Sequence, residues 1–211
     1  MLEQIIAEIS LQKSSTRLAQ YAMLLATAAL IEMRDPLTAG HSSRVGRCAA
    51  IIAHEMGLIT DIQKALRLAG LVHDIGKIDI PKTCLQKPGK LTETEMSVVR
   101  KHPVLSYEIV AAVPGLQSIA NIVLHHHERI DGNGYPHGLA GERIPLGSRI
   151  LCVADSFDAM VTDRAYRPAM SVEDALAELE RCAGTQFDPA VVQAFTAYLL
   201  RRGLRLPQVR V

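Results

Sequence analysis

Apolar residues recur at helical spacing along most of the chain, and turn-forming residues break the pattern at intervals. Residues 1–34 read as one long helix, with Leu2, Ile5 and Ile9 at heptad-like spacing until Gln12 and Thr16 interrupt the seam. Asp35, Pro36 and Gly40 break it. Further helices are predicted over 41–57, closing at Gly57, and over 61–72, opened by the Thr60/Asp61 cap region. Thr92 with Glu95 makes a capping-box pattern that starts another. The His102-Pro103 step should end or kink it, because proline disfavours α conformation in the residue before it. Helices over 104–112 and 115–127 follow, and then Asp131 to Gly147 holds five glycines and two prolines, too broken for regular structure. Helical spacing resumes over 148–161, over 171–183 behind Ser171, and over 188–202 with Asp188 as cap and Pro189 in the first turn.

This pattern predicts an all-α bundle with a helical N-terminal extension. A length of 211 residues suits one domain with an appendage, read as a helix over 1–34, a principal domain over 35–202 and a tail over 203–211. Composition agrees: aromatics are 4% and tryptophan is absent, a balance that favours helices over a sheet-built core. Lys plus Arg is 23 and Asp plus Glu is 22, so no overall field favours nucleic acid or an acidic membrane, and an anionic ligand would need a local cluster. The four cysteines, Cys48, Cys84, Cys152 and Cys182, lack CxxC spacing and read as reduced, mostly buried thiols. The apolar run from Tyr21 to Ile31 is far shorter than the ~20 residues a membrane span needs. Glu3 and Glu8 interrupt any secretory signal, which makes the cytoplasm the default location.

The chemistry lies in His and Asp residues. His73 and Asp74 stand together in LAGLVHDIGKIDIP, and His41, His102, the HHHE run at 125–128 and Asp155 complete a candidate set at or near predicted helix ends. Imidazoles with carboxylates and no nearby cysteine suit Zn, Fe, Mn or Co. Seven possible ligands, His41, His73, Asp74, His102, His126, His127 and Asp155, exceed what one ion needs when a position stays open for water, so two ions are the economical reading. Asp74 could bridge them, and a water between two cations would become a hydroxide nucleophile. Metals ~3.5–4 Å apart suit in-line attack on a phosphodiester. Lys77, Arg164 and Arg167 could hold phosphate oxygens, although each alone is more commonly an ordinary solvated cation. His54 and His137 are read as non-ligands.

HDIGK at 73–77, KHP at 101–103, HHE at 126–128, DGNGYP at 131–136 and DSFDAMVTDRAYRP at 155–168 resemble the HD-GYP phosphodiesterases of bacterial cyclic-di-GMP signalling. The likeness keeps the family's order and spacing from about Glu32 to Tyr198, through RDPLTAGHSSRV, LQKPGKLT, IPLGSRIL and GTQFDP. It implies that 35–202 is an HD-GYP catalytic domain, with all seven candidates as metal ligands. It implies that Lys77, Arg164 and Arg167 contact substrate phosphates, and that Tyr135 lies in a loop beside the active site which also contacts partner domains. The bland alternative makes the GYP segment a rigid turn shaping the pocket rim. Gly132 and Gly134 would give this loop unusual backbone angles, and Pro136 would stiffen it.

A subset of the family resembling three-metal enzymes carries glutamate four residues before the first ligand histidine. That position is Leu37 here, which supports two metals, Fe or Mn first and Zn, Co or Ni next. Asp79 and Ser106 stand where glycine is usual, and His137 where aspartate is common. The implied activity is hydrolysis of cyclic-di-GMP, with either pGpG or GMP as the final product. The alternatives are a weak or inactive dinucleotide-binding or interaction module and another HD-type phosphohydrolase acting on mononucleotides or alarmones. Candidate partners are a second copy of the chain through the N-terminal helix and a signalling protein through the GYP loop.

Overall fold

The computed structural model describes residues 2–34, 39–87, 89–163 and 168–204, with the backbone path alone for 2–15 and Arg17. Ten α-helices follow one another among the described residues: α1 (Leu2–Glu32), α2 (His41–Glu55), α3 (Thr60–Val72), α4 (Lys82–Leu85), α5 (Glu93–Val99), α6 (His102–Ala111), α7 (Gln117–Leu124), α8 (Leu146–Val161), α9 (Val172–Arg181) and α10 (Pro189–Arg201). Short 3-10 turns cover Ile75–Asp79 and Gly141–Arg143. The all-α expectation holds: an isolated bridge between Ala183 and Phe187 is the sole β pairing among the described residues.

Local chemistry explains most boundaries. Thr92 and Glu95 form the full capping box at the start of α5. Ser171 accepts the Asp174 amide ahead of α9, and Asp188 accepts the Ala190 amide ahead of α10. Pro103 falls in the first turn of α6, where its missing N–H has no intrahelical partner to lose, so α5 stops at Val99 and α6 begins at His102. Three expectations need adjustment. The α3 cap position is Ile59 with no side-chain cap, Thr60 being already helical. Helix α7 stops at Leu124, short of the histidines assigned to it. The 3-10 turns and the one-turn α4 escaped the periodic pattern because they are too short to show a period.

Glycines set the central crossing. A Cβ on Gly70 of α3 would stand 2.3 Å from the Gly46 Cα of α2, and one on Gly46 would stand 2.4 Å from the Arg67 carbonyl oxygen. The two helices therefore meet backbone to backbone, and this pairing sets the start of α2, with His41, beside the end of α3, with His73. Ile52, Leu66, Leu151 and Phe157 are fully buried around them, and Phe157 meets Phe195 edge to face with centroids 4.8 Å apart.

Leu24 and Ile31 of α1 are buried against this body, whereas Leu18, Met23, Leu30 and Met33 are exposed. Beyond α1, Arg34 donates to the carbonyls of Ile78 at 2.6 Å and Ile80 at 3.3 Å, which ties the end of the first helix to the turn after His73-Asp74. Cys48 and Cys152 are buried and Cys84 and Cys182 half-buried, all free. No helix among the described residues is long and apolar enough to cross a membrane.

Candidate metal centre

The structure brings all seven candidate ligands together. His41 opens α2, His73 caps α3, Asp74 follows it, His102 opens α6, and His126 and His127 follow the α7 cap. Asp155 is the exception to the helix-end pattern, since it projects from the middle of α8. Donor atoms of His41, His73 and Asp155 form one group, and those of His102, His126 and His127 a second. Asp74 lies between them. Its Oδ2 stands 3.3 Å from His73 Nε2 and 3.9 Å from His41 Nε2, while its Oδ1 stands 3.3 Å from His102 Nε2.

Three of the rings are aimed by their other nitrogen through a backbone carbonyl. His73 Nδ1 lies 2.8 Å from the Gly70 carbonyl oxygen, His102 Nδ1 2.7 Å from that of Val99, and His126 Nδ1 2.6 Å from that of Val123. A carbonyl can only accept, so each Nδ1 donates its hydrogen and each Nε2 presents a lone pair to the centre. Those three Nε2 atoms are buried and have no hydrogen-bond partner. Buried polar atoms rarely go unpaired, and three facing one carboxylate fit a cation.

Electrostatics point the same way. Burial pushes His102 down to about 4 and His127 to about 3, and drives His126 well below the ordinary imidazole value, so all three rings are neutral at pH 7 and keep a lone pair for a cation. Burial alone would raise the carboxyls of Asp74 and Asp155. For Asp74 it is outweighed by neighbouring positive charge, with the Lys77 ammonium in contact, and for Asp155 by the hydrogen bond from His41, so both stay ionised. Burial likewise opposes charge on His41, but bonds to Asp155 and Asp158 prevail and raise it to about 9. The proton on its Nε2 is the one a bound cation would displace.

Lys77 Nζ lies 2.5 Å from Asp74 Oδ2, at the edge of the centre. The Tyr135 ring stacks on His127 at 4.8 Å, its backbone amide donates to the His127 carbonyl, and Arg100 stands 5.6 Å from the tyrosine ring centre. Arg164, Arg167 and Leu37 lie outside the described residues. Gly132 has the expected positive φ of 79°, but Gly134 serves differently: a Cβ there would stand 2.4 Å from the Arg129 nitrogen. Its role is close packing of the loop on the histidine turn.

A family model described as an HD domain matches residues 26–191. The chain belongs to the HD domain family. HD-domain phosphohydrolases are metal-dependent, and the His and Asp groups here can bind metal. The cyclic di-GMP phosphodiesterase response regulator RpfG of Xanthomonas campestris is 44% identical over 184 residues, covering 86% of this chain and 48% of that protein. A cyclic di-GMP phosphodiesterase of Thermotoga maritima is 44% identical over 168 residues, covering 79% and 46%. The chain thus spans about half the length of these curated relatives. Among solved structures, the V. cholerae cyclic GMP-AMP phosphodiesterase V-cGAP3 shares the fold at TM-score 0.66 and 17% identity, covering 89% of this chain and 54% of that one. The HD domain of L. monocytogenes PgpH, in complex with cyclic-di-AMP, does so at TM-score 0.59 and 18% identity, covering 89% and 99%.

Sequence reasoning missed two supports of this HD-domain centre, Asp158 and Glu128, and singled out a third, Ser106, without its role. Asp158 Oδ2 lies 2.7 Å from His41 Nδ1, and Arg44 donates to both Asp158 oxygens at 2.6 and 3.1 Å. Glu128, buried to 2% exposure, accepts the amides of His137 and Leu139 and so anchors the GYP loop. Buried Ser106 accepts the Gly76 amide at 2.8 Å, tying the His73-Asp74 turn to α6, while Asp79 is exposed. The available signals were Asp158 one helical turn beyond Asp155 and Glu128 directly after His127.

Proposed function

We propose that this HD domain is a metal-dependent phosphodiesterase that hydrolyses cyclic-di-GMP to linear pGpG or further to GMP. The observation that carries this reading is the Asp74 carboxylate held between two imidazole-lined ligand groups, which suits two divalent cations, with Fe or Mn favoured. The names of the relatives support the substrate class. His41, His73 and Asp155 would hold one cation, His102, His126 and His127 the other, and Asp74 both. Bound there, the pair would supply Lewis acidity, activating water and polarising a phosphoryl oxygen.

The residues around the pair do the positioning. The carbonyl-anchored rings keep their lone pairs fixed, so no reorganisation is needed when a phosphodiester enters. Lys77 offers its ammonium to a non-bridging phosphate oxygen, and Tyr135, stacked on His127, walls the pocket where a base or ribose would rest. Arg164 and Arg167 would supply further phosphate contacts. In the same reading residues 35–202 form the catalytic domain, and 1–34 a dimerisation or signal-transmission helix.

The test is anaerobic loading with Fe(II) or Mn(II), metal counting, and product analysis on cyclic-di-GMP beside 3'3'-cGAMP and mononucleotides. Conversion of cyclic-di-GMP to pGpG, lost in Asp74→Ala, is the expected result. A loaded protein that turns over none of the cyclic dinucleotides overturns the proposal.

A further inference from the structure

A second group of donors lies on the outer side of the turn that carries His126 and His127. His125 Nε2 stands 3.2 Å from His137 Nδ1, and one donor atom from each of His125, Glu128 and His137 lies within 4.8 Å of the others. These residues come from two segments: His125 and Glu128 from the turn after α7, and His137 from the loop just beyond Tyr135 and Pro136.

Three features distinguish this group from a chance meeting of histidines. His125 is buried, and its Nδ1 lies 3.0 Å from the Asn121 carbonyl oxygen, so Nδ1 donates and Nε2 turns its lone pair toward His137. That is the arrangement already seen in His73, His102 and His126. Glu128 is a buried carboxylate that accepts two amides but pairs with no cationic side chain among the described residues, and a buried charge is costly without an opposite one. His137 is exposed, which leaves the group open to ions from solvent. Two imidazole nitrogens bound to one tetrahedral zinc at 2.0–2.1 Å stand ~3.3 Å apart, close to the separation found. An N–H···N bond would give a similar separation, so the distance alone does not choose. The buried carboxylate does.

We propose that His125, His137 and Glu128 form a separate site for a borderline divalent transition ion, Zn(II), Ni(II) or Cu(II), with a water in the open position. Such an ion clamps the loop that presents Tyr135 to the turn that presents His126 and His127. Two imidazoles and a carboxylate favour these ions over Mg(II) or Ca(II), which prefer oxygen donors.

Zinc uptake by the full chain tests this without any assay of hydrolysis. Zinc per chain is measured after equilibrium loading for the wild type, for His137→Ala and the milder His137→Asn, and for an Asp74→Ala/Asp155→Ala double variant. Circular dichroism shows which variants fold. Both His137 variants should bind one ion fewer than the wild type, and the double variant should keep that ion while losing the one assigned to His41, His73 and Asp155. With Cu(II) in the double variant, the electron paramagnetic resonance signal should contain a nitrogen-coupled component that the further His137→Asn change removes. Equal zinc in wild type and a folded His137 variant overturns the proposal, as does a double variant that binds none. Neither result bears on cyclic-di-GMP hydrolysis, so the two readings fail separately.

Discussion

Replacing Asp158 with asparagine tests whether the centre depends on support beyond its ligands. The carboxylate accepts from His41 Nδ1 at 2.7 Å and from Arg44 at 2.6 and 3.1 Å, and it is 3% exposed. Asparagine keeps the shape but removes the charge and one acceptor oxygen, so His41 and Arg44 compete for what is left. Loss of such a partner behind a ligating histidine typically lowers metal affinity 10–100-fold, about 1.4–2.7 kcal/mol. The effect should fall on the ion proposed for His41, His73 and Asp155 and spare the one proposed for His102, His126 and His127. Competition against a chelator would therefore show one weakened and one unchanged ion. Asp188→Asn, which breaks the 2.5 Å Arg149–Asp188 pair away from the centre, controls for general destabilisation and should leave both affinities alone. Two unchanged affinities in Asp158→Asn, or equal weakening in the Asp188 control, would refute the argument.

Gly70→Ala should cost about 3 kcal/mol or more in denaturant unfolding, because its Cβ would meet Gly46 backbone at 2.3 Å rather than a side chain able to move; a loss below about 1 kcal/mol would mean that α2 and α3 separate easily. Ser106→Ala leaves the Gly76 amide unpaired in a fully buried place and should cost ~1–3 kcal/mol by the same measurement. Glu95 carries a pH signature: the Lys87 ammonium and the Thr92 amide hold its carboxyl at about 2, below the ordinary 4.5. A depressed carboxyl stabilises the fold above its unfolded value and loses that contribution as pH falls toward the folded one. The wild type should thus melt above Glu95→Gln at pH 7, with the gap closing between 4.5 and about 2. A gap unchanged at low pH would contradict this.

The fold and the gathering of the candidate ligands were largely legible in the sequence, and the reason differs from helix to helix. Caps at Thr92, Ser171 and Asp188 act within a few residues, so their sequence signatures survive into the structure. Gly57 closes α2 as expected, from just beyond its last residue: with φ 73° its amide donates to the His54 carbonyl and the next amide, of Leu58, to that of Ala53. The end of α7 was harder to place because the histidine run continues its pattern while the backbone leaves it. The Gly46–Gly70 contact depends on two helices meeting, which no periodicity records.

The centre divides along the same line. His73, His102 and His126 each anchor Nδ1 on a carbonyl three residues earlier, so a histidine at a helix end carries its own orientation, and short strings such as HDIGK and KHP hold most of the needed information. His41 opens its helix and is oriented from elsewhere. Its Nδ1 is held instead by a carboxylate 117 residues away, itself held by Arg44. Beside Asp155, Asp158 looks in sequence like any polar residue one turn along α8, and only the docking of α2 on α8 reveals its task. Local orientation is readable from a motif, and orientation supplied across the fold is not. That is why the missing support fell behind His41.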